Sequence, residues 1–252
     1  MADETAAVRV AAAGDLHCHE GVRDRTRRAF AALEGRADLV LLAGDLTTHG
    51  EPEQAAVLAD ACREVELEVV AVLGNHDWHA DRCGEVAAVL EEAGVTVLER
   101  SCTTTCVGEV ELGVVGLKGF VGGYPGSHLP DFGEPLMREV YAETTRDVEA
   151  LDRGLKAVAH CPVRIVLLHY APIAATLAGE PETIWTMLGS DRLAGPIAQH
   201  EPDLVLHGHA HAGTFRGAIG AVPVFNVSVP VIGRDFWIFE VAGLERATAP
   251  VH

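Results

Sequence analysis

Five short apolar runs punctuate the chain, and each stops at a residue able to hold a cation. Val8–Ala13 gives way to Gly14-Asp15-Leu16-His17, Leu39–Ala43 to Gly44-Asp45, and residues 69–73 to Gly74-Asn75-His76-Asp77. Val163–Leu168 is followed by His169, and residues 204–206 by His207-Gly208-His209-Ala210-His211. Runs this short, rich in Val and Leu and without polar alternation, have the pattern of strands buried on both faces. In an open α/β sheet the active site lies beyond the carboxyl ends of the strands. Five strand ends would therefore deliver Asp, Asn and His side chains to one edge. Thirteen histidines in 252 residues would put some ligand types there by chance, but not a cluster after every core strand.

Helical stripes separate the first of these runs. Val22, Thr26, Ala29, Phe30 and Leu33 share one helical face, and Pro52 suits the first turn of the next helix. Val86, Val89, Leu90 and Ala93 form a third stripe, ended by Gly94. Strand–helix alternation of this kind predicts right-handed crossovers and a largely parallel sheet. Val110–Leu117 alternates weakly and is expected to pair with residues 96–98. Residues 118–135, rich in Gly and Pro, read as a long loop of the kind that is usually functional. Its rings, Phe120, Tyr124 and His128, either meet substrate or plug the loop itself. Residues 134–160 read as one long helix with Leu136, Val140, Val148, Leu151, Leu155 and Val158 at helical spacing.

A second irregular stretch covers residues 171–190, and Gly195-Pro196 makes the following helix short or late-starting. Three strand-like runs lie in residues 213–241: near Phe215, over residues 222–227, and at Trp237–Val241. They suggest a second sheet. The expected fold is α/β, a four-layer αββα sandwich of two mixed, mostly parallel β-sheets flanked by helices. It is expected to form one domain over residues 1–252, with an insert at 118–160 covering or flanking the active site.

With 48% apolar residues the chain can bury a large core. Its net charge of −18, from 19 basic and 37 acidic residues, repels nucleic-acid backbones and anionic membranes. Long nucleic acid is therefore not an expected partner. No apolar run approaches the roughly 20 residues that span a bilayer. The opening Met-Ala-Asp-Glu-Thr lacks the basic and apolar regions of a signal peptide, so a cytoplasmic location is expected. Of the six cysteines (Cys18, Cys62, Cys83, Cys102, Cys106 and Cys161) only Cys102 and Cys106 are close, and their C-x3-C spacing has no matching second half. Free thiols in a reducing compartment are expected rather than a structural zinc site.

Carboxylate, imidazole and carboxamide without thiolate suit Mn, Fe, Co, Ni or Zn. Two metals about 3.5–4 Å apart clamp the attacking and leaving oxygens of phosphoryl transfer. They need a shared carboxylate, and the leaving group needs a proton donor. Singly, the motifs say little. D-x-H is short, Gly-Asp is common in turns, Gly74-Asn75-His76-Asp77 reads also as a turn with a helix cap, and a lone His169 is more often a hydrogen-bonded strand end. His209 and His211, two apart in extended backbone, point the same way and form the strongest pair. His19, His49, His79 and His207 read as hydrogen-bonding neighbours or substrate contacts rather than ligands. Cys18 and Trp78 read as packing.

In order, D-x-H, G-D, G-N-H-D, a lone His and G-H-x-H resemble the signature of the calcineurin-like metallophosphoesterases, from Asp15 to His211. The resemblance implies that Asp15, His17 and His211 hold one metal and that Asn75, His169 and His209 hold the other, with Asp45 bridging. It implies that His76 faces the scissile phosphate and Asp77 orients it. Two divalent or trivalent ions per chain follow (Mn, Fe, Zn, Co or Ni, with Mn or Fe favoured), as does in-line attack by a metal-bridging hydroxide. Protein phosphatases of the superfamily carry G-D-x-x-D-R-G and G-N-H-E. This chain departs from both, with Gly44-Asp45-Leu46-Thr47-Thr48-His49-Gly50 and Gly74-Asn75-His76-Asp77. It looks more like bacterial members related to cyclic-nucleotide phosphodiesterase, which implies a cyclic nucleotide or a small nucleotide-type diester as substrate. The alternatives are a phosphomonoesterase acting on a small molecule or phosphoprotein, and a metal-binding scaffold without turnover; the intact ligand set counts against the scaffold.

Overall fold

A computed structural model describes residues 7–242, so the amino-terminal pentapeptide read for a leader lies outside them. The first half alternates strand and helix: β1 (Val8–Ala13), α1 (Arg23–Ala31), β2 (Leu39–Ala43), α2 (Pro52–Arg63), β3 (Glu68–Val72), α3 (Cys83–Glu91) and β4 (Val95–Leu98). Then come β5 (Ser101–Val107), β6 (Val110–Leu117), a small hairpin of β7 (Gly123–Tyr124) and β8 (Ser127–His128), α4 (Pro135–Ala157) and β9 (Val163–Leu168). The last part holds α5 (Trp185–Leu188), α6 (Ala194–His200), β10 (Leu204–His207), β11 (Arg216–Ile219), β12 (Val222–Asn226), α7 (Val229–Ile232) and β13 (Trp237–Val241).

Two large sheets result, ordered β13-β1-β2-β3-β4 and β11-β12-β10-β9-β6-β5. Within the first, β1 to β4 run parallel; within the second, β6, β9, β10 and β12 do. Strand periodicity assigns the layers. In β2, Leu39, Leu41 and Ala43 face the second sheet, sharing a core with Val114, Ile165 and Leu206. Val40 and Leu42 face the other way, onto Phe30, Leu58 and Leu90 of α1, α2 and α3. The outer face of the second sheet (Val115, Val166, Val205) is covered by Leu151 and Leu155 of α4 and Ile197 of α6. The architecture is the four-layer αββα sandwich expected.

Several assignments change. Residues 96–98 pair with β3 in the first sheet; β6 instead pairs with β5 and β9 in the second. β5, Ser-Cys-Thr-Thr-Thr-Cys-Val, has no strand signature in sequence, because an edge strand half open to solvent carries no apolar run. Trp237–Val241 does not extend the second sheet but lies antiparallel to β1. Leu136 is exposed at the start of α4, whose apolar stripe tightens only from Thr144 onward. The two irregular stretches pack on each other: Gly123 N–H donates to Gly189 O at 2.8 Å and the Tyr124 hydroxyl to Ala171 O at 2.7 Å. Tyr124 is thus a plug within the loops, buried with Ala171, Leu177 and Leu188. His128 pairs with Asp191 at 2.9 Å. Among the described residues no helix is long and apolar enough to cross a membrane.

Candidate metal centre

The carboxyl ends of β1, β2 and β3 meet those of β9 and β10 along one edge shared by the two sheets. Direct bonds fasten the sheets there. The His169 ring, after β9, donates from Nδ1 to Ala43 O of β2 at 2.9 Å. Asp15, after β1, accepts the His209 backbone N–H at Oδ2 (2.9 Å), and its Oδ1 lies 2.8 Å from His211 Nε2.

Three overlapping groups of possible ligand atoms converge, each within 4.8 Å: Asp15, His17 and His211; His17, Asp45 and His76; and Asp45, His169 and His209. Asp45 belongs to two of them, with Oδ2 3.9 Å from His17 Nε2 and Oδ1 3.3 Å from His169 Nε2. Asn75 Oδ1 lies 2.8 Å from the same His169 nitrogen. All seven residues expected to hold metal are therefore brought together, and geometry alone adds His76 as a possible eighth.

The arrangement fits cations. Because Nδ1 of His169 must carry a proton to bond a backbone carbonyl, a neutral ring has only a lone pair at Nε2. In that form the lone pair would face two more acceptors, Asn75 Oδ1 and Asp45 Oδ1. Acceptors converging in a buried place need a positive charge between them. His209 is similarly set: its Nε2 lies 3.2 Å from Met187 O, which leaves Nδ1 free, and burial pushes its pKa down to about 3, so the ring stays neutral. Burial works against charge on Asp15, yet the His211 ring, helped by His169 and the His209 amide, holds its carboxyl below the usual range.

Two further features point the same way. Among the described residues seven non-glycine residues have positive φ, and four of them are Asp15 (60°), His17 (44°), Asp45 (50°) and His209 (69°). Left-handed backbone costs a non-glycine residue about 1–3 kcal/mol and persists only where surroundings impose it. Motif glycines clear the space. A side chain at Gly74 would overlap Asp45 Oδ1 and its amide, and one at Gly208 would crowd Asp15 Oδ2 and Ala43 O.

Asp77, expected to orient His76, makes its side-chain hydrogen bonds to other groups. Its carboxylate is buried and fully occupied elsewhere: Oδ1 accepts from the Thr47 amide (2.8 Å) and hydroxyl (2.6 Å), Oδ2 from the amides of Gly74 (2.8 Å) and Leu46 (3.1 Å). Among the described residues the His76 ring is oriented instead by Thr48 O, 2.8 Å from Nδ1. Asp77 pins the β2 and β3 loops together, which positions Asp45 and His76 from behind. The signal available in sequence was Thr47-Thr48, hydroxyls placed just after the aspartate; the Thr48 and Met187 carbonyls carry none.

Of the neighbouring histidines, His207 is buried between Gly208 O and the Thr176 hydroxyl, both at 2.8 Å. His19 accepts the Gly21 amide, and His49 lies exposed beside Gln54. His79 stacks on His76, centroids 4.4 Å apart. Cys18 is packed as expected, its thiol pushed up to about 12 by burial. Trp78 is not packed but 42% exposed. With Phe120 and Tyr170 it surrounds the Lys118 ammonium, 5.6, 4.7 and 5.1 Å from the ring centroids, and Tyr170 in turn lies 4.4 Å from the His209 ring. Lys118 and Tyr170 escaped sequence reading because each follows an apolar strand without a motif.

Solved structures share this architecture. A phosphopantetheinyl hydrolase from Mycobacterium tuberculosis aligns with a TM-score of 0.63 at 16% identity, covering 90% of this chain and 91% of that one. A Staphylococcus aureus protein assigned as a 5'-nucleotidase gives 0.60 at 14% identity, over 98% of this chain and 56% of its own. The Thermus thermophilus protein TT1561 gives 0.54 at 19% identity, over 93% and 99%. Among curated proteins none matches the sequence. The family model for calcineurin-like phosphoesterases matches residues 8–213, which takes in all five strand-end motifs, and the chain belongs to that family.

Proposed function

We propose that the protein is a dinuclear metal-dependent phosphoester hydrolase whose preferred substrate is a small phosphodiester, either a cyclic nucleotide or a small nucleotide-type diester. The observation that carries this reading is the sharing of Asp45 between the cluster with His17 and the cluster with His169 and His209. In this reading Asp15, His17 and His211 would hold one ion and Asn75, His169 and His209 the other, with Asp45 available to both. When bound, the ion pair, with Mn or Fe preferred, would supply Lewis acidity and lower the pKa of water. His76 bonds Thr48 O through Nδ1 and holds Nε2 3.9 Å from Asp45 Oδ2, at the centre, where a proton on Nε2 could be handed to the leaving oxygen.

The diester preference rests on two features. Trp78, Phe120 and Lys118 form an open aromatic and cationic shelf beside the centre, a place for the second ester arm that a monoester lacks. The net charge of −18 also opposes a dianionic monoester more than a singly charged diester. A monoesterase is the second reading, favoured by the likeness to the protein assigned as a 5'-nucleotidase. The test compares bis-p-nitrophenyl phosphate with p-nitrophenyl phosphate, with Mn²⁺ and with chelator, then cyclic AMP and cyclic GMP. Metal-dependent turnover, faster on the diester, is expected. A faster monoester rate would overturn the substrate class, and metal binding without turnover would replace the hydrolase with a metal-binding scaffold.

A further inference from the structure

The C-x3-C pair has no second half in sequence, but the fold supplies one. In the β5–β6 ladder Cys106 lies directly opposite Glu111, so both side chains leave the same face of the sheet. Cys102, four residues before Cys106, shares that face. After α4 ends, the turn into β9 carries His160-Cys161 to the same place. Cys161 Sγ lies 3.7 Å from His160 Nε2, His160 Nε2 lies 3.9 Å from Glu111 Oε1, and the three ligand atoms all fall within 4.8 Å of one another. The buried Cys161 thiol is also within electrostatic range of Cys102 and Cys106.

Tetrahedral zinc, with Zn–S near 2.3 Å and Zn–N or Zn–O near 2.0–2.2 Å, sets neighbouring ligand atoms roughly 3.3–3.8 Å apart. Two of the separations here are close to that, and His160 and Glu111 are open enough to solvent to close the remainder. We propose that Glu111, His160 and Cys161, with Cys106 as fourth ligand, form a second and separate site for one thiophilic divalent cation of the zinc type. Thiolate ligation sets it apart from the centre at the strand ends, whose candidate ligands are all nitrogen and oxygen. Cys161 lies just before β9 and His169 just after it, so six strand residues, roughly 20 Å at about 3.3 Å each, separate the two sites. The ion is therefore structural. It ties β5, the edge strand of the second sheet, to the turn between α4 and β9.

Cobalt(II) titration of the metal-free, full-length protein tests this directly, because only a thiolate ligand gives a sulfur-to-cobalt charge-transfer band in the near ultraviolet. Wild type is expected to show that band, and to retain one zinc equivalent more than the His160→Ala variant. Cys161→Ser and Cys106→Ser should each weaken the band by about half and the double variant should abolish it, Cys18→Ser should keep it, and His160→Ala should weaken zinc binding by more than about tenfold. His160 is exposed, so its loss leaves the core untouched. Absence of the band in wild type, its survival in the Cys106→Ser/Cys161→Ser double variant, or equal zinc content in wild type and His160→Ala would each overturn the proposal. None of these readouts depends on phosphoester hydrolysis.

Discussion

Asp45 sits where two sets of candidate ligands meet, held in a backbone conformation that non-glycine residues rarely adopt. Replacing it, or His209, strikes the centre itself. Asp45→Asn and His209→Ala are each expected to lower activity by more than the roughly 10–100-fold that outer hydrogen-bond partners cost. His49→Ala, at an exposed position beside Gln54, should leave kcat/KM unchanged; equal losses in all three variants would refute the ligand assignment. The Asp15–His211 contact makes a second prediction, on pH. The Asp15 hydrogen bond raises the His211 pKa above its ordinary value of 6.5, and the pair holds Asp15 below its ordinary value of 3.8. In metal-free protein the His211 contribution to stability is thus complete below pH 6.5 and is lost as pH rises through the raised value. The Asp15 contribution is present above 3.8 and is lost as pH falls through its lowered value. In the proposed centre a metal held by His211 would displace its proton, so affinity would run the opposite way. From about pH 6 to about pH 8 the Tm gap between metal-loaded and metal-free protein should widen, and His211→Asn should flatten that dependence. Residue identities at this centre were readable because strand ends and ligand chemistry coincide in sequence. What orients His76 and His209 was not, since Thr48 O and Met187 O are backbone groups that any residue would offer.

At the scale of elements, the loops after β2 and β3 are one unit, bolted by Asp77. All four of its hydrogen bonds come from Leu46, Thr47 and Gly74. Asp77→Asn turns an amide NH2 toward donors, leaving buried amides without acceptors at about 1–3 kcal/mol each. Urea denaturation should show that loss, and activity should fall with the metal content of loaded protein retained. Unchanged stability would mean that Asp77 acts on the reaction rather than on the loops. Gly74→Ala should be worse, since the added carbon meets Asp45 itself. The strands carrying these loops were legible as unbroken apolar runs buried on both faces. Three elements misjudged, β4, β5 and β13, lie at sheet edges. There one side has no neighbour, the hydrophobic pattern is diluted, and sheet membership is decided by contacts far along the chain. The same dilution hid the pairing of Cys106 with Glu111.

The whole molecule carries 18 excess negative charges and a centre built to receive an anion, so long-range field and local chemistry oppose each other. Candidate ligands gather acidic residues at one edge, but the surplus as a whole repels phosphoesters before they arrive. Screening separates the two effects. The Debye length falls from about 30 Å at 0.01 M salt to about 10 Å at 0.1 M, which removes the distant charges from the encounter while leaving the contacts at the centre almost unscreened. For like-charged partners kcat/KM should therefore rise with added potassium chloride, by a few-fold over that range, and more steeply for a dianionic monoester than for a singly charged diester. A diester preference that comes only from the global field would shrink toward unity as salt increases. One that comes from the shelf of Trp78, Phe120 and Lys118 would survive it, because a neutral ring face is indifferent to ionic strength. Measuring both substrates across the salt series, in wild type and Trp78→Ala, assigns the preference to one source: a ratio unaffected by Trp78→Ala and erased by salt would remove the shelf from substrate selection.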